Sequence, residues 1–214
     1  MTLQPLLTLF LKWLSNPPTE LLLAILRYIG QRLPQQGIYR VLDHHVTLEL
    51  RDPQGNQAIY RKVQSVRFLQ DHVIAFYDTA WGDGELFANY RCSPGYPVDR
   101  FRKGNRTYTL ISLREAKQRN ATETFRMERT ILAGFTQSEE YLQADIDHLT
   151  DQITLAVVFP ADRFPQSVKL TELQRQHSID LSSHLERLPD GRQQICWTKR
   201  FPQLDESYLL SWSW

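Results

Sequence analysis

Apolar residues recur at helical spacing near the start of the chain and at alternate positions over most of the rest. Between residues 3 and 14 they lie three or four apart, which predicts a short amphipathic helix. After the break at Asn16-Pro17-Pro18, Thr19 is suited to cap a second helix whose apolar positions extend to Leu33. We therefore predict an N-terminal helical hairpin over residues 1–35.

From Gly37 onward the period changes from helical to two, which is typical of strands separated by turns. Val46, Leu48 and Leu50 alternate with polar residues before a turn at residues 52–56. The pattern predicts strands at about 46–50, 58–61, 64–69, 72–78, 85–92, 106–115, 123–133, 140–148, 152–159, 166–173, 181–187, 192–198 and 207–214. Residues 93–103 are interpreted as a long connection between strands.

This many strands exceed what one flat sheet usually holds, so we predict a mainly β fold. The specific prediction is an antiparallel two-sheet β-sandwich over residues 37–214, preceded by the short N-terminal helical pair. Pro189-Asp190-Gly191-Arg192 predicts a hairpin turn near the C-terminus. In the last strand, Tyr208, Leu210, Trp212 and Trp214 share one face, and we predict that this face lies in the core.

Composition narrows the possible partners. The 25 Lys and Arg residues balance 24 Asp and Glu residues, so no overall field favours nucleic acid, and we predict no nucleic-acid partner. The two cysteines are too few for a disulfide framework and lack metal-ligand spacing. No secretory signal or apolar run of about 20 residues occurs, so we predict a cytoplasmic protein without a transmembrane segment. Arg greatly outnumbers Lys, which favours a bacterial source.

Local motifs for catalysis or metal binding are absent from the sequence or isolated in it. No GxSxG, Walker-type loop, HExxH or GxGxxG occurs, which favours a non-enzymatic protein. Asp43-His44-His45 matches a tripeptide of metal-dependent phosphoesterases but has no companion acidic motifs. Acidic residues around the turn at 81–84 could bind calcium, but their spacing matches no EF-hand loop, and Asp and Gly are ordinary turn residues. We predict no cofactor and no metal site.

Two neighbouring segments are candidates for ligand recognition. Residues 90–103 interleave aromatic and cationic side chains, a composition that can bind a peptide or a phosphate through stacking and charge. The turn at residues 81–84 adds an indole and a carboxylate. The candidate binding residues are Trp81, Asp83, Tyr96, Arg100 and Arg102.

Three functions remain open from the sequence. The first is a non-catalytic protein-interaction or regulatory module that acts with a partner protein through its loops and sheet edges. The second is association with a membrane surface through residues 3–33, where Trp13 and Lys12 suit an interfacial position. The third is a small-ligand or enzymatic site between the sheets, around Trp81, Tyr96 and Arg100.

Overall fold

The structure is a computed structural model that describes residues 37–214. The predicted helical hairpin and the membrane-binding face at residues 3–33 lie outside the described residues and stay predictions. Within residues 37–214, no helix is long and apolar enough to cross a membrane.

The described chain is built almost entirely of strands. Two short 3-10 turns, at Leu173–Arg175 and Ser182–His184, interrupt them late in the chain. The strands are β1 (Tyr39–Leu50), β2 (Gln57–Phe68), β3 (Val73–Ala80), β4 (Glu85–Ser93), β5 (Tyr96–Lys103), β6 (Arg106–Lys117), β7 (Thr122–Leu132), β8 (Glu139–Asp145), β9 (Gln152–Phe159), β10 (Ser167–Glu172), β11 (His177–Asp180), β12 (Glu186–Arg187), β13 (Gln193–Arg200) and β14 (Ser207–Ser213).

The strands form three sheets. The large sheet has the order β12-β13-β9-β1-β2-β7-β4, the four-stranded sheet β11-β10-β14-β8, and the three-stranded sheet β3-β6-β5. The prediction of a mainly β fold is confirmed. The architecture has three sheets instead of two, and β1 pairs with β9 in parallel. The alternation of apolar residues predicts strands and their faces, but it does not encode which strand pairs with which or in which direction.

Both smaller sheets pack against the same face of the large sheet. Residues of β2 with even numbers share one face, and Ala58 belongs to the core formed with the four-stranded sheet. Val66 and Phe68, farther along the same face, belong to a second core formed with the three-stranded sheet. The residues of β2 between these two positions therefore face the space between the two smaller sheets.

A bulge in β1 lets the same strand serve both cores. Tyr39 and Val41 face the core under the three-stranded sheet, whereas Val46 and Leu48 face the other core. Their numbers differ in parity, which a regular strand would place on opposite faces. The pairing of β1 with β2 shifts register between Val41 and Asp43, and this extra residue turns both sets of side chains to the same side.

Three strand predictions differ from the structure. Residues 181–187 were predicted as one strand, but they contain the 3-10 turn Ser182–His184 and only the two-residue strand β12. The strand β11 lies just before them, and all its residues are exposed, so no alternation marks it in the sequence. Residues 57–68 form the single strand β2, where the sequence predicted two short strands. Residues 96–103 form β5, an edge strand of the three-stranded sheet, where the sequence predicted a connection. Every residue of β5 is exposed, so it lacks the alternation that marks a half-buried strand. Pro97 also argued against a strand, but a sheet edge tolerates proline.

Both predicted hairpin turns are confirmed. Asp52 Oδ1 accepts the backbone N–H groups of Gln54 and Asn56, each at 3.0 Å, which closes the turn between β1 and β2. Gly55 in this turn has φ of 73°, and a Cβ there would lie 1.7 Å from the carbonyl oxygen of Phe135. The second turn joins β12 to β13, which pair antiparallel.

The C-terminal strand lies inside the structure. β14 pairs with β10 on one side and with β8 on the other. Tyr208, Leu210 and Trp212 are buried, which confirms the core prediction for these three residues. Trp212 packs its ring 5.6 Å from that of Phe159, centroid to centroid. Trp214 is only partly buried and packs at the margin of the same core.

Replacing Trp212 with alanine should strongly destabilise the protein. The indole is 2% exposed and packs between two phenylalanine rings, so truncation leaves a large cavity. We expect the free energy of unfolding to fall by about 3–5 kcal/mol, measured by urea denaturation. Tyr141→Ala is the matched control, because Tyr141 is an exposed aromatic residue opposite Ser211 of β14, and it should change stability by less than about 0.5 kcal/mol. Equal effects would show that Trp212 is not a core residue.

Candidate functional site

A cavity lies over the middle of β2, between the two cores. Tyr60, Lys62 and Gln64 occupy the positions of the inward face between Ala58 and Val66, and all three line a cavity of about 390 Å³. Small-molecule sites commonly have volumes of about 300–1,000 Å³. The period-two pattern of β2 thus changes from apolar to polar where the two smaller sheets leave the large sheet uncovered.

The three sheets each contribute one side of this central cavity. Its floor is the large sheet, with His44 from β1 beside the three β2 residues. The three-stranded sheet supplies Tyr77, Thr79, Phe101, Lys103 and Tyr108, together with Trp81 just after β3. The remaining side is formed by the end of β8 and the segment that follows it, with Gln143, Ala144, Asp145, Asp147, His148 and Thr150.

Aromatic side chains on the three-stranded sheet form an exposed wall of the cavity. Phe101 and Tyr108 stack with ring centroids 5.4 Å apart, and Tyr77 meets Phe101 edge to face at 6.3 Å. Tyr77 and Phe101 remain 45% and 42% exposed. Exposed aromatic rings with a rigid arrangement offer a large apolar contact area to a ligand.

A buried carboxylate joins the floor of the cavity to the three-stranded sheet. Asp78 of β3 forms ion pairs with Lys62 of β2 and with Arg129 of β7, the latter at 3.2 Å, and all three side chains are buried. Tyr90 of β4 donates its hydroxyl to Asp78 Oδ2 at 3.1 Å. Burial by itself would raise the pKa of Asp78, but the charges of Lys62 and Arg129 hold it below its usual value.

Arginine–aromatic stacking extends this ionic group on both sides. The guanidinium of Arg129 lies 3.9 Å from the ring centroid of Tyr60, which lines the cavity. Arg100 of β5 stacks 4.0 Å from the ring centroid of Phe87 and donates to Thr109 Oγ1 at 3.2 Å. These contacts bind the edge strand β5 to β4 of the large sheet.

Arg106 connects the two smaller sheets at the cavity. It begins β6 of the three-stranded sheet and forms ion pairs with Asp145 at the end of β8 and with Asp147, the latter at 3.3 Å. Its guanidinium also lies 4.8 Å from the ring centroid of Trp81. Asp145 is further held by Gln143 Nε2, which donates to Oδ1 at 2.8 Å. Both carboxylates on this side of the cavity are therefore already paired.

His44 lines the floor of the cavity and carries a buried nitrogen without a partner. Its Nε2 atom has no hydrogen-bond partner among residues 37–214. Burial, followed by the charge of Lys62, lowers the pKa of His44 to about 3, so the imidazole is neutral at neutral pH. A buried polar atom without a partner costs free energy, and such an atom beside a cavity indicates a place for a hydrogen-bonding ligand or water.

The Asp43-His44-His45 tripeptide does not act as one cluster. Successive residues of a strand point to opposite faces, so His44 faces the cavity whereas Asp43 and His45 face away. Asp43 Oδ1 accepts a hydrogen bond from Gln152 Nε2 at 3.3 Å on the neighbouring strand β9. In the part of the chain that the structure describes, no group of three His, Cys, Asp or Glu side chains is placed to hold a metal.

The candidate binding residues from the sequence are distributed over three places. Trp81 lines the central cavity, and it also lines a smaller neighbouring cavity of about 80 Å³ together with Asp83. Tyr96 lies on the edge strand β5, 5.5 Å from the guanidinium of Arg114. Arg100 stacks on the ring of Phe87, and Arg102 Nε donates to the carbonyl oxygen of Gly104 at 3.1 Å. The structure thus brings together Trp81 and Asp83, and their role in binding stays a prediction.

Several residues of the central cavity were not candidates from the sequence. His44, Lys62, Tyr77, Phe101 and Tyr108 come from five strands and meet only after the sheets have packed. One local signal was present. The inward face of β2 is apolar at Ala58, polar at Lys62 and Gln64, and apolar again at Val66, which marks a gap in the core.

Comparison with known proteins finds structures of similar fold but assigns the chain to no family. No protein-family model matches the chain, and no curated protein matches it either. Among solved structures, an M1 zinc metallopeptidase E323A mutant from Deinococcus radiodurans bound to the substrate Tyr-Ser-Ala aligns with a TM-score of 0.52 and 10% identity, over 82% of this chain and 43% of the peptidase. A two-domain M1 zinc metallopeptidase E323A mutant bound to L-tryptophan gives the same TM-score, identity and coverage.

A second kind of neighbour is described as a putative nutrient binding protein from Legionella pneumophila, with a TM-score of 0.50 and 10% identity over 82% of this chain and 67% of that protein. The similarity is one of fold. At 10% identity none of these matches assigns a function or a residue to this chain, which spans less than half the length of the peptidase structures.

Neutralising Asp78 should cost far more stability than neutralising an exposed carboxylate. In Asp78→Asn, the charges of Lys62 and Arg129 stay buried without their counter-ion, a change that typically costs about 3–5 kcal/mol. Asp190→Asn is the matched control, because Asp190 pairs with Arg192 at the surface, and we expect little change there. Urea denaturation of both variants measures the difference. A loss no larger than that of the control would contradict a stabilising role for the buried group.

The low pKa of His44 should make the protein less stable as the pH falls below about 6.5. The unfolded chain protonates this histidine near its ordinary pKa of about 6.5, whereas the folded chain does so only near 3, so protons favour unfolding between these values. We expect His44→Gln to weaken the pH dependence, by up to about 1.4 kcal/mol per pH unit in the free energy of unfolding. Urea denaturation between about pH 5 and 7.5 tests this, since most carboxylates stay ionised there. Identical slopes for both proteins would contradict it.

Proposed function

We propose that the chain is a non-catalytic recognition module that binds a segment of a partner protein in the central cavity. The observation that carries the proposal is the cavity of about 390 Å³ with an exposed aromatic wall formed by Tyr77, Phe101 and Tyr108. Aromatic residues are enriched among the side chains that contribute most to protein–protein binding. The backbone around them is a paired sheet, so little ordering of the site is needed on binding.

The state of the ionisable groups supports recognition over catalysis. Lys62 is engaged with Asp78, and Asp145 is engaged with Arg106. A general base for neutral pH has a pKa near 7, whereas that of His44 is about 3. These groups are arranged to hold the sheets together and to offer hydrogen bonds.

The descriptions of two solved structures with a similar fold are consistent with a peptide ligand. One peptidase of similar fold is bound to the tripeptide Tyr-Ser-Ala, and another neighbour is described as a putative nutrient binding protein. A short extended peptide would fit the dimensions of the cavity. Both cysteines are free thiols, which agrees with a cytoplasmic site of action for the module.

Photo-cross-linking from the aromatic wall tests the proposal in the full chain. Phe101 is 42% exposed and lines the cavity, whereas Phe164 is 41% exposed and lines neither of the two cavities. A photoreactive phenylalanine analogue at position 101, in cells of the source organism, should form an adduct that maps to one segment of one protein. The analogue at position 164 should not form this adduct. An adduct at both positions, or only at 164, would contradict binding in the cavity.

Truncating the aromatic wall should weaken binding of the partner identified in this way. We expect Phe101→Ala to raise the dissociation constant about tenfold or more, as for a central aromatic contact, and Phe164→Ala to leave it unchanged. Isothermal titration with purified proteins measures both, and circular dichroism verifies that each variant is folded. Equal affinities for the two variants would refute the assignment of the cavity as the binding site.

A further inference from the structure

The charges buried beneath the cavity do not balance. Asp78 is fully buried, and Lys62 and Arg129 are 7% and 5% exposed, so two cations share one carboxylate. A buried charge that lacks a counter-ion is costly, and an anion that enters the cavity would offset that cost. Lys62 lies between Asp78 and the cavity, because it contacts the carboxylate and also lines the cavity.

Among residues 37–214, the other charged residues that line the cavity do not supply this anion. Asp145 and Asp147 both pair with Arg106, and Asp147 has a side chain that is 60% exposed. Lys103 adds a further positive charge to the lining. With the imidazole of His44 neutral, the buried group of Lys62, Arg129 and Asp78 has a formal excess of one positive charge. The other charged residues that line the central cavity, taken with Arg106, which pairs with two of them, are two cations and two carboxylates, which balance: Lys103, Arg106, Asp145 and Asp147.

Hydrogen-bond donors are available beside the excess charge. His44 pairs directly with Gln64 across β1 and β2, so both side chains lie next to each other on the floor. His44 lines the cavity, and its Nε2 atom has no partner among the described residues, so an N–H at this atom is a donor that these residues leave unused. The ammonium of Lys62 carries three donors, of which Asp78 occupies one. An oxygen anion can thus be met by an imidazole, an amide and an ammonium group.

We propose that the ligand group bound at this floor, against His44, Lys62 and Gln64, is a carboxylate attached to an apolar or aromatic body. The inference rests on the proposed function and names the chemistry of the segment that is recognised. A carboxylate carries one negative charge, which matches the excess of one positive charge. A phosphate monoester carries nearly two and would leave negative charge buried. The aromatic wall of Tyr77, Phe101 and Tyr108 receives the apolar body.

A matched pair of small ligands tests the carboxylate directly. N-acetyl-L-tryptophan has the carboxylate and aromatic body of a chain terminus, and N-acetyl-L-tryptophanamide differs only in lacking the charge. In isothermal titration of the full chain, the acid should bind about tenfold or more tightly than the amide, the factor of one charge-assisted contact. Equal affinities, tighter binding of the amide, or no binding of the acid at about 10 mM would overturn the proposal.

Substitutions test whether the preference for the acid over the amide arises from the residues of the cavity floor. Lys62→Met should abolish the preference for the acid, and His44→Leu should reduce it while leaving the ion pairs of Asp78 intact. Lys169→Met is the matched control, since it removes an exposed positive charge that lines neither cavity, and the preference should stay within about twofold of the wild type. Loss of the preference in Lys169→Met, or its full retention in Lys62→Met, would overturn the proposal. His44→Leu keeps the test decisive if Lys62→Met fails to fold.

Further ligands distinguish whether the carboxylate belongs to a chain terminus or to an acidic side chain. Tighter binding of N-acetyl-L-tryptophan than of N-acetyl-Trp-Glu-amide assigns the group to a chain terminus, and the reverse order assigns it to an acidic side chain. Displacement of the acid by an equal concentration of inorganic phosphate would overturn the preference for a carboxylate. If no acid preference is found but the adduct at position 101 forms, only this inference fails and the recognition module stands.

Discussion

The packing of the three-stranded sheet on the large sheet depends on one buried carboxylate. Asp78 projects from β3 and meets Lys62 of β2, Arg129 of β7 and Tyr90 of β4, so one side chain joins three strands of the large sheet to one strand of the smaller sheet. The interaction of buried charges falls steeply if the partners separate, because no water replaces the lost contacts. The distance between these sheets is therefore constrained more tightly than apolar packing alone would require.

The same constraint explains the character of the central cavity. Lys62 needs a position close to Asp78, so the middle of β2 stays polar where both neighbouring stretches are apolar. Burial, and after it the positive charge of Lys62, lowers the pKa of His44 and keeps the imidazole neutral. A polar floor that is partly engaged in ion pairs resists being filled by apolar side chains of the core. The proposed recognition and the stability of the sheet packing thus rest on the same side chains.

The sequence predicted strands well where one face is buried, and poorly where both faces have similar exposure. β14 alternates regularly between buried and partly exposed residues, so its core face was evident from the pattern. β5 is exposed throughout, and no periodicity distinguishes such a strand from a connection. The number of sheets also escaped prediction, because the faces of β2 show alternation without showing that two different sheets cover them.

The candidate site was harder to predict than the fold. Trp81 was identified from the unusual composition of its turn, but Lys62 and Asp78 pair across 16 positions of sequence that contain no motif. Their association arises only after β3 has packed over β2. Arg100, which the sequence suggested for ligand binding, is exposed and stacks on Phe87 of the same chain. Cationic and aromatic residues in one segment indicate stacking, but the pattern does not say whether the partner is a ligand or the chain itself.

The topology explains why the cavity lies between sheets and not within one. β1 and β9 are adjacent and parallel, and a parallel pair needs a long crossover connection. Here the crossover contains β2 to β8, which supply the whole three-stranded sheet and the edge strand β8. Every strand that lines the cavity is β1 itself or a member of this crossover. Because the crossover returns over the same face of the large sheet from which it starts, its two covering layers meet above the middle of β2. Arg106 connects them through Asp145 at that point, so the cavity follows from the path of the chain and has an ion pair at its border.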